Sequence, residues 1–294
     1  MDRFMLRDSD YFSYKINSNN FDNYTNRDYP YVQLSQSNGD RYYGVCPGCG
    51  NPILLVNLYK NQVGQVNPYG RHVKKDVPNI ANYNQHNYNN CPYSNPNWHT
   101  NNTSLNANSL LGLRNKKMLK EQFDRIIYIL KIQTGLCFSE NLAKKMLNSF
   151  VRNKGWLYRW TIPDNLPWKF AESSPAQILN GQFLKLDSDL GKILSQKYHI
   201  DKQEEDSDRI QVPVRNNNIG LLKFVFKDFK HKLTNNGQHI EETIRFAVLD
   251  VNQNEVFDET LEVEPDFLIN LIRKTDTEKY RNKDLLEYAK KSIQ

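Results

Sequence analysis

The spacing of hydrophobic residues changes along the chain. Between residues 110 and 200 apolar side chains recur every three or four positions, the spacing of one helix face. Two successive helices are predicted there, with the apolar faces Phe123, Ile126, Ile127, Leu130 and Leu142, Met146, Leu147, Phe150. The same spacing returns from Ile178 to Tyr198 and predicts a further helix. Gly135 suits the end of the first helix, and Ser139 is a candidate N-cap of the second.

After residue 208 hydrophobic residues recur at every second position, which is the spacing of a β-strand. Leu222, Phe224 and Phe226 alternate in this way, and residues 242–249 and 256–263 form the two arms of a predicted hairpin. Pro265 opens a helix in its first turn, and a last helix is predicted from about Thr277 to the end. This part of the chain therefore predicts an antiparallel sheet with two helices.

The N-terminal third is polar and rich in asparagine, which supplies 37 of the 294 residues. Residues 1–40 have no clear period and are predicted to form an extended arm that packs through its tyrosines. Residues 41–59 indicate a strand, a turn and a buried strand. Twelve of the thirty residues 79–108 are asparagine, which is typical of a loop.

These patterns predict a multidomain α+β protein. The predicted segments are an arm at 1–40, a metal-stapled β unit with a long loop at 41–108, a basic helical domain at 109–200, and a sheet with C-terminal helices at 201–294. Glu204, Glu205 and Asp206 suggest a solvated acidic linker before the sheet.

Composition narrows the class of protein. Aromatic residues make up 12% of the chain, which argues against wholesale disorder. No run approaches the ~18 apolar residues of a membrane span, and the first residues lack the apolar core of a secretory signal. Four cysteines are too few for a disulfide scaffold. We expect a cytoplasmic protein that does not insert into a membrane.

The strongest chemical signal is the pair Cys46 and Cys49, separated by Pro47 and Gly48. Two thiolates at this spacing can bind one tetrahedral Zn²⁺, and Cys91 supplies a third ligand from the asparagine-rich loop. The fourth ligand stays open between His72 and His86, and His99 is less favoured. Four protein ligands would make the zinc structural rather than catalytic.

The alternatives for these cysteines are a redox pair or an incidental spacing. A redox motif should lie between a strand and a helix, whereas Pro52 and a β-like segment follow Cys49. Zinc is therefore the favoured interpretation. Cys137, between Leu136 and Phe138, is predicted to be a small core or turn residue.

The net charge of +6 is unevenly distributed. Residues 111–160 carry 11 basic and 3 acidic side chains, whereas residues 201–294 carry 15 and 19. The two basic helices resemble a helix-turn-helix in outline, which predicts contacts to nucleic-acid phosphates. The candidate residues are Arg114, Lys116, Lys117, Lys144, Lys145, Arg152, Lys154 and Arg159. The alternative is an ordinary solvated helical surface.

An aromatic cluster follows these helices, and residues 156–160 within it are predicted to form a short strand. Trp156, Tyr158, Trp160 and Trp168 lie beside basic residues, a pattern that can stack nucleic-acid bases. The favoured interpretation is that these rings fill a core that is short of aliphatic side chains.

Common enzyme motifs are missing from the sequence, among them the phosphate-binding loop and the His-Glu-x-x-His pair. Asp250, Glu241, Glu242 and Glu255 could hold Mg²⁺ in a nuclease, but they are more typical of solvated charges beside a hairpin. No catalytic residue is identified, and the sequence leans away from an enzyme.

The favoured function is a zinc-containing nucleic-acid-binding protein. Its asparagine- and lysine-rich composition suits an AT-rich genome, which suggests a bacterial or mobile-element source. The alternatives are an adaptor that binds another protein and a nuclease-type hydrolase with an unrecognised site.

Overall fold

The computed structural model describes residues 1–10, 12–35, 39–59, 67–94, 104–158, 160–200, 208–214, 220–234, 239–274 and 281–293. Over these residues the chain contains α-helices and antiparallel sheets, so the predicted α+β class is confirmed. The chain divides into two compact units. The first comprises Met1–Met118, Trp156–Asp164 and Lys232–Glu241, and the second comprises Leu119–Gly155, Asn165–His231 and Glu242–Gln294.

The elements up to residue 89 belong to the first unit. They are β1 (Arg3–Phe4), β2 (Tyr14–Lys15), α1 (Ser18–Thr25), β3 (Val32–Ser35), β4 (Gly39–Val45), β5 (Pro52–Val56), β6 (Tyr69–His72) and α2 (Gln85–Asn89). Strands β3 to β6 form one antiparallel sheet in chain order, and β1 pairs with β2. This sheet and the turns at its ends carry the candidate metal centre.

The remaining elements begin with a long helix. They are α3 (Leu110–Thr134), β7 (Leu136–Cys137), α4 (Glu140–Arg152), α5 (Leu166–Glu172), β8 (Gln177–Ile178), β9 (Phe183–Lys185), α6 (Asp189–Tyr198), β10 (Arg209–Gln211), β11 (Lys223–Thr234), β12 (His239–Leu249), β13 (Glu255–Glu262), α7 (Pro265–Arg273) and α8 (Lys283–Ser292). Their sheets have the strand orders β10-β9-β7 and β13-β12-β11-β8. Among the helices of the described residues, none combines the length and the apolar character that crossing a bilayer requires.

The first forty residues are folded into the first unit. Phe4 and Phe21 are fully buried and their rings lie 6.0 Å apart, while Tyr42 of β4 meets Phe21 edge-on at 5.6 Å. This differs from the extended arm expected from the sequence. The aromatic side chains of this polar segment have no period, yet they bury enough apolar surface to hold the segment against the sheet.

The helices of the second unit follow the apolar spacing of the sequence. Ser139 caps α4 by accepting a hydrogen bond from the backbone N–H of Leu142, as predicted, and the predicted apolar face of α4 is buried. Gly135, with φ +71°, ends α3 as predicted because glycine adopts this left-handed conformation without strain. Pro265 lies in the first turn of α7.

Helices α4 and α8 of the second unit are joined by polar contacts. The hydrogen bond from Asn282 Nδ2, at 3.2 Å, and the ion pair with Lys144, also at 3.2 Å, hold the pKa of Glu140 below its ordinary value. Tyr288 of α8 donates a hydrogen bond to Asn148 of α4 at 2.9 Å. The start predicted for this last helix, Thr277, lies outside the described residues.

The segment that follows α4, which contains Gly155 and two prolines, differs from its predicted secondary structure. Residues 156–160 were expected to be a strand, but Gly155–Leu157 is a 3-10 turn. Asn165 ends a second 3-10 turn and helix α5 follows, with Trp168 fully buried and its indole N–H donating to Gln133 Oε1 at 2.7 Å. Trp168 is therefore a core residue, as favoured from the sequence.

The segment predicted as one helix from Ile178 to Tyr198 contains two short strands before its helix. Gly181, with φ +84°, turns the chain between β8 and β9. Strand β9 then pairs with both β7 and β10, so its backbone hydrogen bonds are made to neighbouring strands rather than along a helix. The acidic residues 204–206 lie outside the described residues.

Candidate metal centre

Two cysteines occupy the turn between β4 and β5. The backbone N–H of Cys46 donates to the carbonyl of Asn51, and the N–H of Gly50 donates back to the carbonyl of Cys46, both at 2.9 Å. Gly50 has φ +74°, a conformation that glycine adopts at no steric cost. These bonds close a tight turn, and the turn brings the Cys46 and Cys49 side chains to the same end of the sheet.

The other two side chains come from separate segments. His72 is the last residue of β6, where it pairs with Ile53 of β5. Cys91 follows the short helix α2, and its N–H donates to the carbonyl of Tyr88 at 3.1 Å. The sheet register and this helical turn bring Cys46, Cys49, His72 and Cys91 together, with their ligand atoms all within 4.8 Å of one another.

Three of the six distances within this group are close to those of tetrahedral coordination. Metal–sulfur bonds of about 2.3 Å and metal–nitrogen bonds of about 2.0 Å give tetrahedron edges of about 3.8 Å between sulfurs and about 3.6 Å from sulfur to nitrogen. The Cys46 and Cys91 sulfurs are 3.6 Å apart. His72 Nε2 lies 3.3 Å from the Cys49 sulfur and 3.7 Å from the Cys91 sulfur. One metal ion at the centre would reach all four side chains.

The three cysteines are buried together and influence each other's ionisation. Burial raises the pKa of the Cys49 and Cys91 thiols, and the neighbouring Cys46 sulfur raises both further. Burial also opposes ionisation of Cys46, but hydrogen bonds from the other two thiols outweigh it and hold the pKa of Cys46 well below its ordinary value. The cluster thus stabilises one thiolate by itself, and a bound cation would displace the protons of the other two thiols.

Residues around the cluster fix the segments that carry its ligands. Asn51 is 1% exposed, its Nδ2 donates to the carbonyl of Asn84 at 3.0 Å, and its Oδ1 accepts from the N–H of Asn84 at 2.7 Å. The Asn84 side chain in turn caps α2, the helix that precedes Cys91. This pair of bonds holds the Cys91 segment against the β4–β5 turn.

Gly48 permits the close approach of this turn to Cys91. A Cβ atom at position 48 would lie 2.8 Å from the Tyr93 ring and 3.1 Å from the Cys91 sulfur, and both distances are shorter than ordinary contacts. Tyr88 packs edge-on against the His72 ring, with the ring centroids 5.1 Å apart. The cluster is therefore enclosed by side chains that orient its ligands.

Arg114 introduces a positive charge into the interior of the same unit. It is 4% exposed, and its Nη1 lies 3.1 Å from the Met5 sulfur. Burial lowers the pKa of its guanidinium, and the Cys46 and Cys49 thiolates act in the opposite direction. Its Nε and Nη2 have no hydrogen-bond partner in the described part of the chain. Three thiolates around a divalent ion carry a net negative charge, which would balance this cation.

The remaining candidate ligands are placed elsewhere. His86 is exposed on α2 and its Nε2 lies 3.4 Å from Asn90 Nδ2, so it is outside the group. His99 lies outside the described residues. Cys137 is a partly buried residue of β7 in the second unit. Within the described ranges, Cys46, Cys49, His72 and Cys91 form the one group with metal-ligand spacing.

The basic candidates for phosphate contact are divided between the two units. Arg114, Lys116 and Lys117 belong to the first unit, where Arg114 is buried and the Lys116 ammonium lies 5.5 Å from the centroid of the Trp156 ring. Lys144 is paired with Glu140 in the second unit. The other candidates in the second unit, Lys145, Arg152 and Lys154, are exposed. Arg159 lies outside the described residues.

Three of the four carboxylates considered for a nuclease site have structural partners. Asp250 accepts hydrogen bonds from the backbone N–H groups of Asn252 and Asn254 in the hairpin turn. Glu255 forms ion pairs with Lys227 and Arg245. Glu242 accepts hydrogen bonds from Asn165 at 3.0 and 3.2 Å and lies 3.0 Å from His231 Nδ1. Glu241 has its backbone in β12.

Comparisons of this chain with protein-family models, with curated proteins and with solved structures find no match. Its function is therefore argued from the geometry of the site and from the charges on its surface.

Proposed function

We propose that the chain binds one zinc ion through Cys46, Cys49, His72 and Cys91, and that this zinc is structural. The observation that carries the proposal is that the four ligand atoms lie within 4.8 Å of one another, with three of their six separations (3.3, 3.6 and 3.7 Å) close to the edges of a zinc–ligand tetrahedron. Three sulfurs and one imidazole nitrogen are donors that zinc favours. With four protein ligands no coordination position is left for a substrate.

Zinc would contribute directly to the stability of the first unit. The cysteines are part of its hydrophobic core, together with residues such as Phe4 and Ile53. Structural zinc binds with an apparent free energy of about 10–16 kcal/mol in small zinc-binding peptides at pH 7. Since a whole domain is stabilised by only about 5–15 kcal/mol, removal of the ion is expected to unfold or loosen this unit.

The test compares two ligand variants with two matched controls. Elemental analysis should find about one zinc per chain in the unmodified protein. We expect Cys49→Ser and His72→Ala to lose zinc, and Cys137→Ser and His86→Ala to retain it, because the last two lie outside the group. Full zinc content in His72→Ala with loss in His86→Ala would overturn the ligand assignment. Absence of zinc from the unmodified protein, even after reconstitution with zinc, would overturn the proposal.

The second part of the proposed function is binding of nucleic acid. Lys145 and Arg152 are separated by seven residues on α4 and therefore lie on one face of that helix, with Lys154 just beyond its end. All three are exposed, and in the described residues none has an ion-pair partner. Exposed cations without a carboxylate partner support contact with phosphates.

Salt dependence tests this second part. Binding of fluorescent single-stranded and duplex oligonucleotides should weaken steeply as salt rises, with a slope that follows the number of phosphates contacted. The double variant Lys145→Gln/Arg152→Gln should reduce that slope, whereas Lys192→Gln should not, since Lys192 already lies 3.9 Å from Asp189. If neither probe binds at low salt, nucleic-acid binding is wrong and the protein-adaptor alternative becomes the favoured function.

A further inference from the structure

One face of the β3–β6 sheet carries a row of basic, apolar and aromatic side chains. Tyr43, Leu54 and Arg71 stand opposite each other on β4, β5 and β6, and in the next row Val56 stands opposite Tyr69. Because side chains alternate along a strand, Arg41 shares this face with Tyr43. The face therefore presents two arginines, on the strands that flank β5, with an apolar strip between them.

Only part of this face is covered. Val77 and Ile80 pack on Tyr43, Val45 and Met5 in a small buried cluster.

Beyond that cluster the described residues of the face are only partly covered, and Leu54 itself packs against the edge of the cluster. Leu54, Val56 and Tyr69 are half-buried and Arg71 is exposed. Arg41, Leu54, Val56 and Arg71 line a cleft of about 320 Å³ together with the turn that follows β5.

The charges in this cleft favour an anion. Arg41 and Arg71 have no ion-pair partner in the described residues. Asp40 also lines the cleft, so its charged lining consists of two arginines and one aspartate and keeps a net positive charge. The Arg27 guanidinium lies 4.8 Å from the centroid of the Tyr59 ring in the cleft wall, but Asp22 accepts a hydrogen bond from the Tyr59 hydroxyl and offsets this charge.

Tyr69 adds an aromatic ring to this face. It is half-exposed, and in the described part of the chain its ring has no aromatic partner and its hydroxyl no hydrogen bond. Its neighbour across the strand pair is Val56, so one side of the ring borders the apolar strip. Nucleic-acid bases stack on rings in such a position, and arginines nearby hold the backbone phosphates.

We propose that this partly covered half of the sheet face, formed by Arg41, Leu54, Val56, Tyr69 and Arg71, binds single-stranded nucleic acid. A base stacks on Tyr69 over the apolar strip, and Arg41 and Arg71, on strands about 10 Å apart, contact successive phosphates. An unpaired strand is required because bases in a duplex are stacked on each other and cannot reach the ring. The assignment rests on the nucleic-acid part of the proposed function and gives it a second surface, distinct from α4.

The test uses the full zinc-loaded chain and a fluorescent single-stranded twelve-residue oligonucleotide, titrated at several salt concentrations. Tyr69→Ala should weaken binding by about 5- to 150-fold, the range for loss of one base–aromatic stack. Tyr69→Phe should bind as the unmodified protein does, because stacking uses only the ring. Arg41→Gln and Arg71→Gln should each lower the magnitude of the salt slope by about 0.7, the value for one phosphate of a single strand.

Lys15→Gln is the matched control, because Lys15 is an exposed cation of the same unit on the separate β1–β2 pair. It should leave affinity and salt slope unchanged. Zinc content and melting temperature should be nearly unaltered in all these variants, since none of the substituted side chains is fully buried.

The results separate this surface from the α4 proposal. If the oligonucleotide binds, but Tyr69→Ala and Arg71→Gln bind like the unmodified protein, the sheet face is not the binding surface. If a duplex of equal length binds as tightly and is equally sensitive to Tyr69→Ala, the single-strand specificity is wrong. If no oligonucleotide binds at low salt, both proposals fail together.

Discussion

Replacement of Asn51 by alanine tests whether the proposed zinc centre depends on residues outside its ligand set. Asn51 exchanges two hydrogen bonds with the backbone of Asn84, at 3.0 and 2.7 Å, and has almost no exposed surface. These bonds connect the turn that carries Cys46 and Cys49 with the helix that leads to Cys91. The alanine side chain cannot make either bond, so the Cys91 segment loses its polar attachment to the turn.

The size of the effect follows from these two bonds. A hydrogen bond contributes a net free energy of about 1 kcal/mol, so the loss of both amounts to about 2 kcal/mol. If the two bonds form only when the Cys91 segment lies against the β4–β5 turn, the whole loss of free energy appears as weaker zinc binding. Since about 1.4 kcal/mol corresponds to a tenfold change, the zinc dissociation constant should rise about 30-fold.

Competition with a chromogenic zinc chelator at fixed pH measures this constant directly. Asn89→Ala is the matched control, because Asn89 is an exposed residue of α2 that accepts one hydrogen bond from the Gln85 side chain. Its zinc affinity should equal that of the unmodified protein. An Asn51→Ala protein that binds zinc within twofold of the unmodified affinity would refute the reasoning, since the Asn51–Asn84 bonds would then not support the metal ligands.

Three further changes have defined outcomes. Gly48→Ala should lower zinc affinity at least about tenfold in the same chelator assay, because the added methyl group would lie 3.1 Å from the Cys91 sulfur; unchanged affinity would contradict this contact. Trp168→Phe should lower the free energy of unfolding in urea by about 1–3 kcal/mol, through loss of buried ring volume and of the bond to Gln133, and a loss below about 0.5 kcal/mol would contradict it. Because its pKa is lowered on folding, Glu140 stabilises the protein above its ordinary value of 4.5 and loses this effect as pH falls through the folded pKa. Glu140→Gln should therefore show a small stability deficit, under about 1 kcal/mol, at pH 7 that shrinks as the pH falls below 4.5, and a deficit independent of pH would exclude this cause.

The periodic parts of the fold were predictable from the sequence. Helix α4 has its N-cap Ser139 and a regular apolar face, and strands β11 to β13 alternate as a half-buried sheet does. The fold of the described part of the first forty residues was not predictable, because Phe4 and Phe21 are buried by contacts with strands distant in the sequence. Short strands such as β9 escaped prediction since their pairing partners, rather than their own residues, determine their conformation.

The sequence predicted those ligands of the candidate metal centre that are close together along the chain. Cys46 and Cys49 are local neighbours, and their turn follows from the glycines around them. The choice between His72 and His86 depended on the register of β6 with β5, which the residues alone do not reveal. Asn51 could have been noticed as a polar residue between a cysteine pair and a buried strand, but its partner, Asn84, is visible only in the fold.

The order of the ligands along the chain has a consequence for biosynthesis. Cys46 and Cys49 share one hairpin turn, so a nascent chain holds a two-sulfur site as soon as that hairpin forms. His72 must then close a loop back to the hairpin, and Cys91 must close a second one, each at an entropic cost that grows slowly with loop length. A nascent chain that ends before Cys91 lacks one of the four proposed ligands, so its metal would stay open to exchange, whereas a chain that includes Cys91 could enclose the ion. Capture of the proposed zinc would therefore proceed in steps that follow the order of the ligands along the chain.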